Sequence, residues 1–520
     1  MKLYSAAQMR ELDAFVINTL RIPGASFMRR ASRHVAGAAR ELLAKSERGS
    51  VVVFCGIGNN GGDGFGAAAD LVRDGVSMRV FLLGKRENMS ADSLEMERRL
   101  IEYGGKVEAF EAAAAFEAVE NCGVIIDAIF GTGLKRPVSG DAIEAVDIIN
   151  ASKATVVSAD IPSGVHADTG EILGACVQAD VTVTFSGAKP GLFLTPGCVS
   201  AGEVRVCDIG IPPELTDGVK SDIYAVQNGD ISLPKRARDS HKGDFGRVLI
   251  IAGSLGYTGA PVMAAHACSM AGAGLVSLGV PDDIYQIIAQ KCTGEMPFRI
   301  KGGETVSEAA WEELLPRVKA ADAVLIGPGM RNTPDTQAIV AHALRESDVP
   351  VILDADGINV LAGNIDILDN AKPPVVLTPH DGEFARITGN MSAGGRLGVA
   401  REFAKKHGCV VILKGYRTIT ALPDGSAFIN TTGNPGLAKG GSGDVLAGVL
   451  AALVGQGFPL KDACIAAVYL HGLAGDMATS RFGEYSVTPE GVINEMPQAF
   501  LTVTSQGVPT RLINGGRPLA

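Results

Sequence analysis

The chain has 520 residues, a net charge of −10 at pH 7 and 46 % hydrophobic residues, enough for about two to four domains, each with its own core. The acidic balance and the lack of any basic block exclude nucleic acid and an anionic membrane as main partners and leave an enzyme acting on small molecules. Nine cysteines, at 55, 122, 176, 198, 207, 268, 292, 409 and 464, form no C-x-x-C pair and have no histidine cluster beside them, so they read as reduced thiols of a cytoplasmic protein, not as a disulfide frame or zinc site.

The first twenty residues are interrupted by Arg10, Glu11 and Asp13 before an apolar stretch of signal length can form, so no secretory signal is expected. The run Val51–Phe54 then leads into "CGIGNNGGDG", residues 55–64. Gly56, Gly58 and Gly61 have the G-x-G-x-x-G spacing of a dinucleotide fingerprint, with a helix expected from about Phe65. The acidic residue that should close the second strand is absent, because 78–83 runs into Gly84-Lys85-Arg86. Asn59, Asn60 and Asp63 supply side chains that a plain phosphate cradle does not need, which points to a different kind of site.

Strand-like runs at 51–55, 78–83, 123–127, 154–159, 180–185 and 203–207 alternate with helical patterns, predicting a parallel sheet covered on both faces. A connector follows through Pro234-Lys235-Arg236, and a second cycle runs through 248–251, 323–326, 350–353, 374–377, 409–413 and a helix at 443–454, with a domain boundary near residue 222. The longest apolar run, Val445–Leu460, is too short to span a bilayer comfortably and reads as a buried helix.

Ligands of such sheets sit beyond the carboxyl ends of the strands. In the first half Asn59, Asn60 and Asp63 follow the first strand, Asp127 ends the 123–127 run, and Asp160 and Ser163 follow 154–159. Each alone reads as a turn former or cap, whereas together they suggest a site. The oxygens of Asn60, Asp127 and Ser163 suit a hard, monovalent cation. The backbone amides of Gly131-Thr132-Gly133 and Gly61-Gly62 can hold phosphate. Asp160 is then free for proton transfer, a role Asp127 could exchange with it.

The strongest signal is "GNPGLAKGGSGDVLAGVLAAL", residues 433–453. Without a Walker A sequence, Gly440, Gly441 and Gly443 would let backbone approach a phosphate at a helix opening near Asp444, which can accept a proton from a substrate hydroxyl. An acidic N-cap on a buried helix is the plain reading of Asp444 alone. His380 alone reads as a capping or packing residue, and Lys414 as either a phosphate contact or a solvated lysine. Asp354 and Asp356 could hold magnesium through water.

Taken together, "GIGNNGGDG", "DAIFGTGLKRP" and "DIPSGVHADTG" make residues 1–222 resemble NAD(P)H-hydrate epimerases. Through "HKGDFGRVLIIAGS", "GPGM", "DADGIN", "TPHDGE" and "GNPGLAKGGSGD", residues 223–505 resemble ADP-dependent NAD(P)H-hydrate dehydratases. The resemblance implies an α/β protein of two domains, an N-terminal Rossmann-like three-layer α/β/α domain and a C-terminal ribokinase-like α/β domain. It implies repair of nicotinamide cofactors hydrated at C6: the first half interconverts R and S hydrates, and the second dehydrates the S form at the expense of ADP, giving AMP and phosphate. Asp160 and Asp444 are the implied catalytic residues. Asn59, Asn60, Gly61, Gly62, Asp63, Gly131, Thr132, Gly133, Leu134, Lys135, Arg136, Pro137 and Asp160 would contact the hydrate in the first half, with potassium on Asn60, Asp127 and Ser163. In the second, Ala260, Gly329, His380 and Asp444 would contact the hydrate. ADP would lie on Lys414, Gly415, Tyr416, Arg417 and Thr418 and on Asn434, Pro435, Gly436, Leu437, Ala438, Lys439, Gly440, Gly441, Ser442 and Gly443, with magnesium as cofactor. A cytoplasmic homo-oligomer acting on small molecules, with no nucleic-acid or membrane partner, is the implied setting. Two departures stand out, Asp381 where the family pattern has proline and the Tyr416-Arg417 loop where it has smaller residues; the first adds negative charge near a phosphate-rich ligand. The alternative is a ribokinase-like ATP-dependent kinase of a small hydroxymethyl substrate, fused to a nucleotide-binding domain.

Overall fold

A computed structural model describes residues 1–389 and 395–504. The chain divides into two compact units, one of Lys2–Ile223 and one beginning at Tyr224. Among the described residues the first unit holds seven strands: β1 (Ser50–Cys55), β2 (Ser77–Leu82), β3 (Glu108–Ala109), β4 (Val124–Ala128), β5 (Thr155–Ala159), β6 (Val181–Phe185) and β7 (Glu203–Cys207). They lie in the order β3-β2-β1-β4-β5-β6-β7, all parallel. Order reverses between β1 and β4, which opens a crevice at their carboxyl ends. Strand β1 explains the layering. Val51, Val53 and Cys55 face a core with the helices Ala6–Asn18, Gly24–Leu43 and Asn59–Arg73, while Val52 and Phe54 face another with Ala112–Glu120 and Asp141–Ala151, the period of two expected of a strand buried on both faces.

The second unit carries β8 (Ile223–Ala225), β9 (Arg247–Ile251), β10 (Leu275–Pro281), β11 (Met296–Ile300), β12 (Ala323–Ile326), β13 (Val351–Leu353), β14 (Val375–Leu377), β15 (Val410–Leu413), β16 (Ile419–Ala421) and β17 (Ala427–Ile429). Their order is β11-β10-β9-β12-β13-β14-β15-β16-β17-β8, parallel from β11 to β15 and antiparallel from β15 to β17. Both units are thus α/β with helices against mainly parallel sheets. Among the described residues no helix is long and apolar enough to cross a membrane.

Several expectations shift. The first glycine-rich helix starts at Asn59, with Gly58 as N-cap, six residues before Phe65, so Asn59–Asp63 occupy helical turns and not a loop. Gly62 N–H already bonds Gly58 C=O at 3.2 Å and cannot serve a phosphate. These glycines are set by crowding: a Cβ on Gly61 would stand 1.8 Å from Gly56 O, and one on Gly64 would meet Ala128 and Cys55. The apolar run 445–460 is broken, because the helix Ser442–Gly455 ends at Gln456 and the next begins at Leu460.

Helix Ser442–Gly455 reaches helix Gly259–Met270 at Gly448, where a Cβ would lie 2.1 Å from Ala264 O. Backbone cannot yield as a side-chain tip does, so Gly448→Ala is expected to destabilise the second unit by about 1–3 kcal/mol. Thermal denaturation of the purified variant, with the Lys2–Ile223 unit's transition as internal reference, measures this.

Candidate active sites

The crevice of the first unit is a cleft of about 1140 Å³ lined by Asn59, Asn60, Asp63, the 131–136 segment, Asp160 and Lys189. Asp160 follows β5 with φ of +64°, a left-handed conformation that costs a residue with a side chain about 1–2 kcal/mol. Its Oδ1 accepts from Thr184 Oγ1 at 3.0 Å and is ion-paired with Lys189 Nζ, whose side chain is 3 % exposed. Lys189 also donates to Thr184 Oγ1 at 2.9 Å, so this carboxylate is braced from the strand beside it. Lys189 is absent from the set read from the sequence, although a lysine between glycines just beyond a predicted strand, in "SGAKPG", is a signal of the same kind as those that were used.

Asp127, fully buried at the end of β4, accepts from Ser163 Oγ at 2.6 Å, Ser163 N at 2.9 Å and Ser158 Oγ at 2.8 Å. Burial still pushes its pKa up. Asp127 is therefore closed off from proton exchange with a substrate, whereas Asp160 lines the cleft. The Asn60 amide lies against Gly131, and its Nδ2 is buried without a hydrogen-bond partner. Asn60 and Ser163 thus meet one turn, at Phe130-Gly131, since Phe130 N donates to Ser163 Oγ at 2.8 Å. Asp63, 8 % exposed, also lines the cleft, and burial followed by the nearby Asp160 raises its carboxyl well above the usual range.

In the second unit the chemistry gathers on Lys414, at the end of β15. Its Nζ pairs with Asp354 Oδ1 at 2.7 Å, lies 3.9 Å from Glu383 Oε2, and would stand 3.2 Å from a Cβ on Gly443. Burial pulls the ammonium's pKa down, but Asp354 and Glu383 outweigh it and hold it above its ordinary value. Asp444 sits in the first turn of helix Ser442–Gly455, behind Gly441 at φ of +100°. Burial, then Asp354, raises its pKa to about 7, against the lowering effect of Lys414. A half-buried carboxyl poised near neutrality at a helix N-terminus is equipped to take a proton. Beneath the loop His471 is buried, which drives its pKa down to about 4 and keeps it neutral.

His380 is the N-cap of helix Asp381–Thr388: Nδ1 accepts from Gly382 N at 3.0 Å, and Glu383 Oε2 accepts from His380 N at 2.9 Å. Ala260 and Gly329 adjoin, since a Cβ on Gly329 would lie 3.3 Å from that of Ala260, and Met263, one turn on, would meet a Cβ on Gly441. Other side chains of the expected nucleotide loops are spent on the fold. Asn434 donates to Asp476 Oδ1 at 2.7 Å, Arg417 to Thr431 O at 2.8 Å, and Lys439 to Tyr485 O at 2.8 Å; what these loops offer a nucleotide is chiefly backbone. The two acids expected to hold magnesium through water already have protein partners. Asp354 is committed to Lys414 and Thr378, and the two oxygens of Asp356 accept from Arg331 N at 2.9 Å and Asn359 Nδ2 at 3.1 Å. Among the described residues no cluster of three His, Cys, Asp or Glu forms a metal cage. Asp381 is not a bare charge, because Arg396 Nε donates to it at 2.9 Å.

Residues 248–498 match the family described as NAD(P)H-hydrate dehydratase, and 24–191 the one described as YjeF-related protein N-terminus. A bifunctional NAD(P)H-hydrate repair enzyme of Moorella thermoacetica is 38 % identical over 96 % of each chain. The chain belongs to this repair-enzyme family. A second member, from Thermofilum pendens, is 36 % identical, again over 96 % of each chain. Among solved structures, an ADP/ATP-dependent NAD(P)H-hydrate dehydratase from Bacillus subtilis, co-crystallised with ATP and Mg2+, is 31 % identical, covering 52 % of this chain and 94 % of its own at a TM-score of 0.46. A ribokinase-like superfamily protein from Enterococcus faecalis is 28 % identical, covering 55 % and 98 % at a TM-score of 0.48.

Because the folded pKa of Asp444, about 7, exceeds its unfolded value of 3.8, the stability linked to its proton is fully present below about pH 4 and lost as pH rises through about 7. Asp444→Asn removes that loss. The variant is expected to match wild type at pH 4 and to exceed it by about 2–4 kcal/mol at pH 8, as read by denaturation of the second unit at both pH values.

Proposed function

We propose that this chain repairs hydrated nicotinamide cofactors in two steps, epimerising the R and S hydrates of NADH and NADPH in the first unit and dehydrating the S hydrate with ADP in the second. Family membership over nearly the whole chain supports the pairing. The observation that carries the chemistry is Asp444, a carboxyl with a pKa of about 7 beside Gly443 and Lys414 at a helix N-terminus.

In the second unit Asp444 takes the proton of the C6 hydroxyl as that oxygen bonds to the terminal phosphorus of ADP and AMP leaves. The N1 lone pair then expels phosphate, C5 gives up a proton, and the C5=C6 double bond of the dihydropyridine returns. The amides at Gly441–Gly443 and the Lys414 ammonium oppose the charge that develops on the phosphoryl group. Magnesium, when carried in on the nucleotide, would supply further charge neutralisation. With no protein cage for it among the described residues, its ligands would be phosphate oxygens and water.

In the first unit Asp160, ion-paired with Lys189, is the proton acceptor. Potassium fits the Asn60–Asp127–Ser163 group: its oxygens surround one turn, the buried Asp127 carboxylate lacks a compensating cation among the described residues, and the orphaned Asn60 amide can turn its oxygen inward. A monovalent cation there would supply positive charge for orienting the hydrate. Nine free thiols, mostly buried, support a reducing, cytoplasmic setting.

Incubating the full chain with mixed epimers tests this. With ADP and magnesium the reduced-cofactor absorbance should return for both epimers, whereas Asp444→Asn should lose dehydration by 100-fold or more, on the order expected for a general base, and still epimerise. A stable phosphorylated product would instead identify a kinase. Replacing potassium by a bulky organic cation, or Asp127 by alanine, should slow epimerisation while sparing dehydration, as chromatographic resolution of the two epimers would record.

A further inference from the structure

The epimerase reading gives Asp63, the most deeply set acid of the first cleft, no role beyond contact with the hydrate. Asp63 belongs to the helix Asn59–Arg73, is 8 % exposed, lines the cleft, and receives no hydrogen bond or ion pair among the described residues. Burying a carboxyl without a partner is costly unless it is neutral. Two features press the same way. Asp160, ion-paired with Lys189 and accepting from Thr184, lines the same cleft. Asp13, from helix Ala6–Asn18, adds a second carboxyl.

Resting on the reading of this unit as an epimerase, we propose that Asp63 is the general acid that works opposite Asp160, and that the two invert C6 by opening and reclosing the hydrated ring. Asp160 takes the C6 hydroxyl proton. Its O–H electrons form the C6=O double bond, the C6–N1 pair withdraws to N1, and Asp63 delivers its proton there. The intermediate is an aldehyde at C6 with N–H at N1. Rotation about C5–C6 presents the other face, N1 attacks, Asp63 recovers its proton, and Asp160 returns the other to oxygen. No atom or electron is gained or lost and no co-reactant is needed. One carboxyl buried without a partner and one ion-paired within a single cleft is the arrangement by which unlike environments divide acid from base.

The groups that face Asp63 are Asp160, Lys189, Asp13 and the thiol of Cys55, itself raised by burial. Burial and the two carboxylates raise the Asp63 pKa well above the usual range, and Lys189 opposes them only in part. The rate should therefore fall as pH rises through that raised value, because the acid is lost.

The test compares wild type with Asp63→Asn in the full chain, following epimers without ADP and dehydration of the S hydrate with it. Asparagine is nearly isosteric with the neutral acid. Epimerisation kcat should fall about 100-fold or more, KM should change little, the alkaline decline should vanish, and dehydration should be unchanged. Asp63→Glu should recover part of the rate and of the decline. In 18O-labelled water the C6 oxygen should be retained on inversion. Wild type that fails to epimerise sinks the epimerase reading itself. Wild type that epimerises while Asp63→Asn keeps its rate and pH profile, or that takes a solvent oxygen into C6 at every inversion, overturns this inference alone. Should the asparagine variant not fold, a wild-type pH profile with no alkaline decline overturns it equally.

Discussion

Each cleft is organised around a lysine that the fold has pressed against a carboxylate, Lys189 on Asp160 and Lys414 on Asp354. Removing either ammonium would leave a shielded anion without compensation, which costs far more than the pair contributes in net stability. The arrangement also sets the protonation of neighbours. Burial and then Asp160 raise the Asp63 carboxyl, which Lys189 opposes only in part; burial and then Asp354 raise that of Asp444, which Lys414 likewise opposes only in part. The strands fix these relations, since Lys414 follows β15 and Asp354 follows β13.

Periodicity made the α/β architecture legible, because buried parallel strands such as Val51–Cys55 and Ala323–Ile326 are unbroken apolar runs between turn residues. It did not disclose β10 and β11. Gly274, Gly279 and Pro297 punctuate them, and local propensity reads such punctuation as loop although tertiary packing accepts it. The start of the helix at Asn59 was placed six residues late, at Phe65, for a related reason. Two adjacent glycines discourage a helix locally, yet here they are what lets the helix settle against Gly56 and Met28.

The candidate site residues were readable one by one: Asp127, Asp160 and Lys414 stand at or just beyond strand ends, and Asp444 in the first turn of a glycine-led helix. Their mutual wiring was not. That Lys189 braces Asp160, that Asp356 accepts from Arg331 N, and that Arg396 answers Asp381 are contacts between residues 15 to 29 positions apart along the chain, beyond any local pattern. The departure at 381 thus acquires a compensation in space. Arg396 also donates to Lys414 O at 2.8 Å, so the pair ties the capping turn to the strand that carries the lysine.

The left-handed backbone at Asp160 has an evolutionary reading. Glycine is the residue that this conformation favours, and asparagine tolerates it better than most. Asp160 gives up backbone freedom and supplies instead the anion that the buried Lys189 requires. A change to glycine would relax the backbone and orphan that lysine, so relatives that have laid down the first activity while retaining the fold should change positions 160 and 189 together.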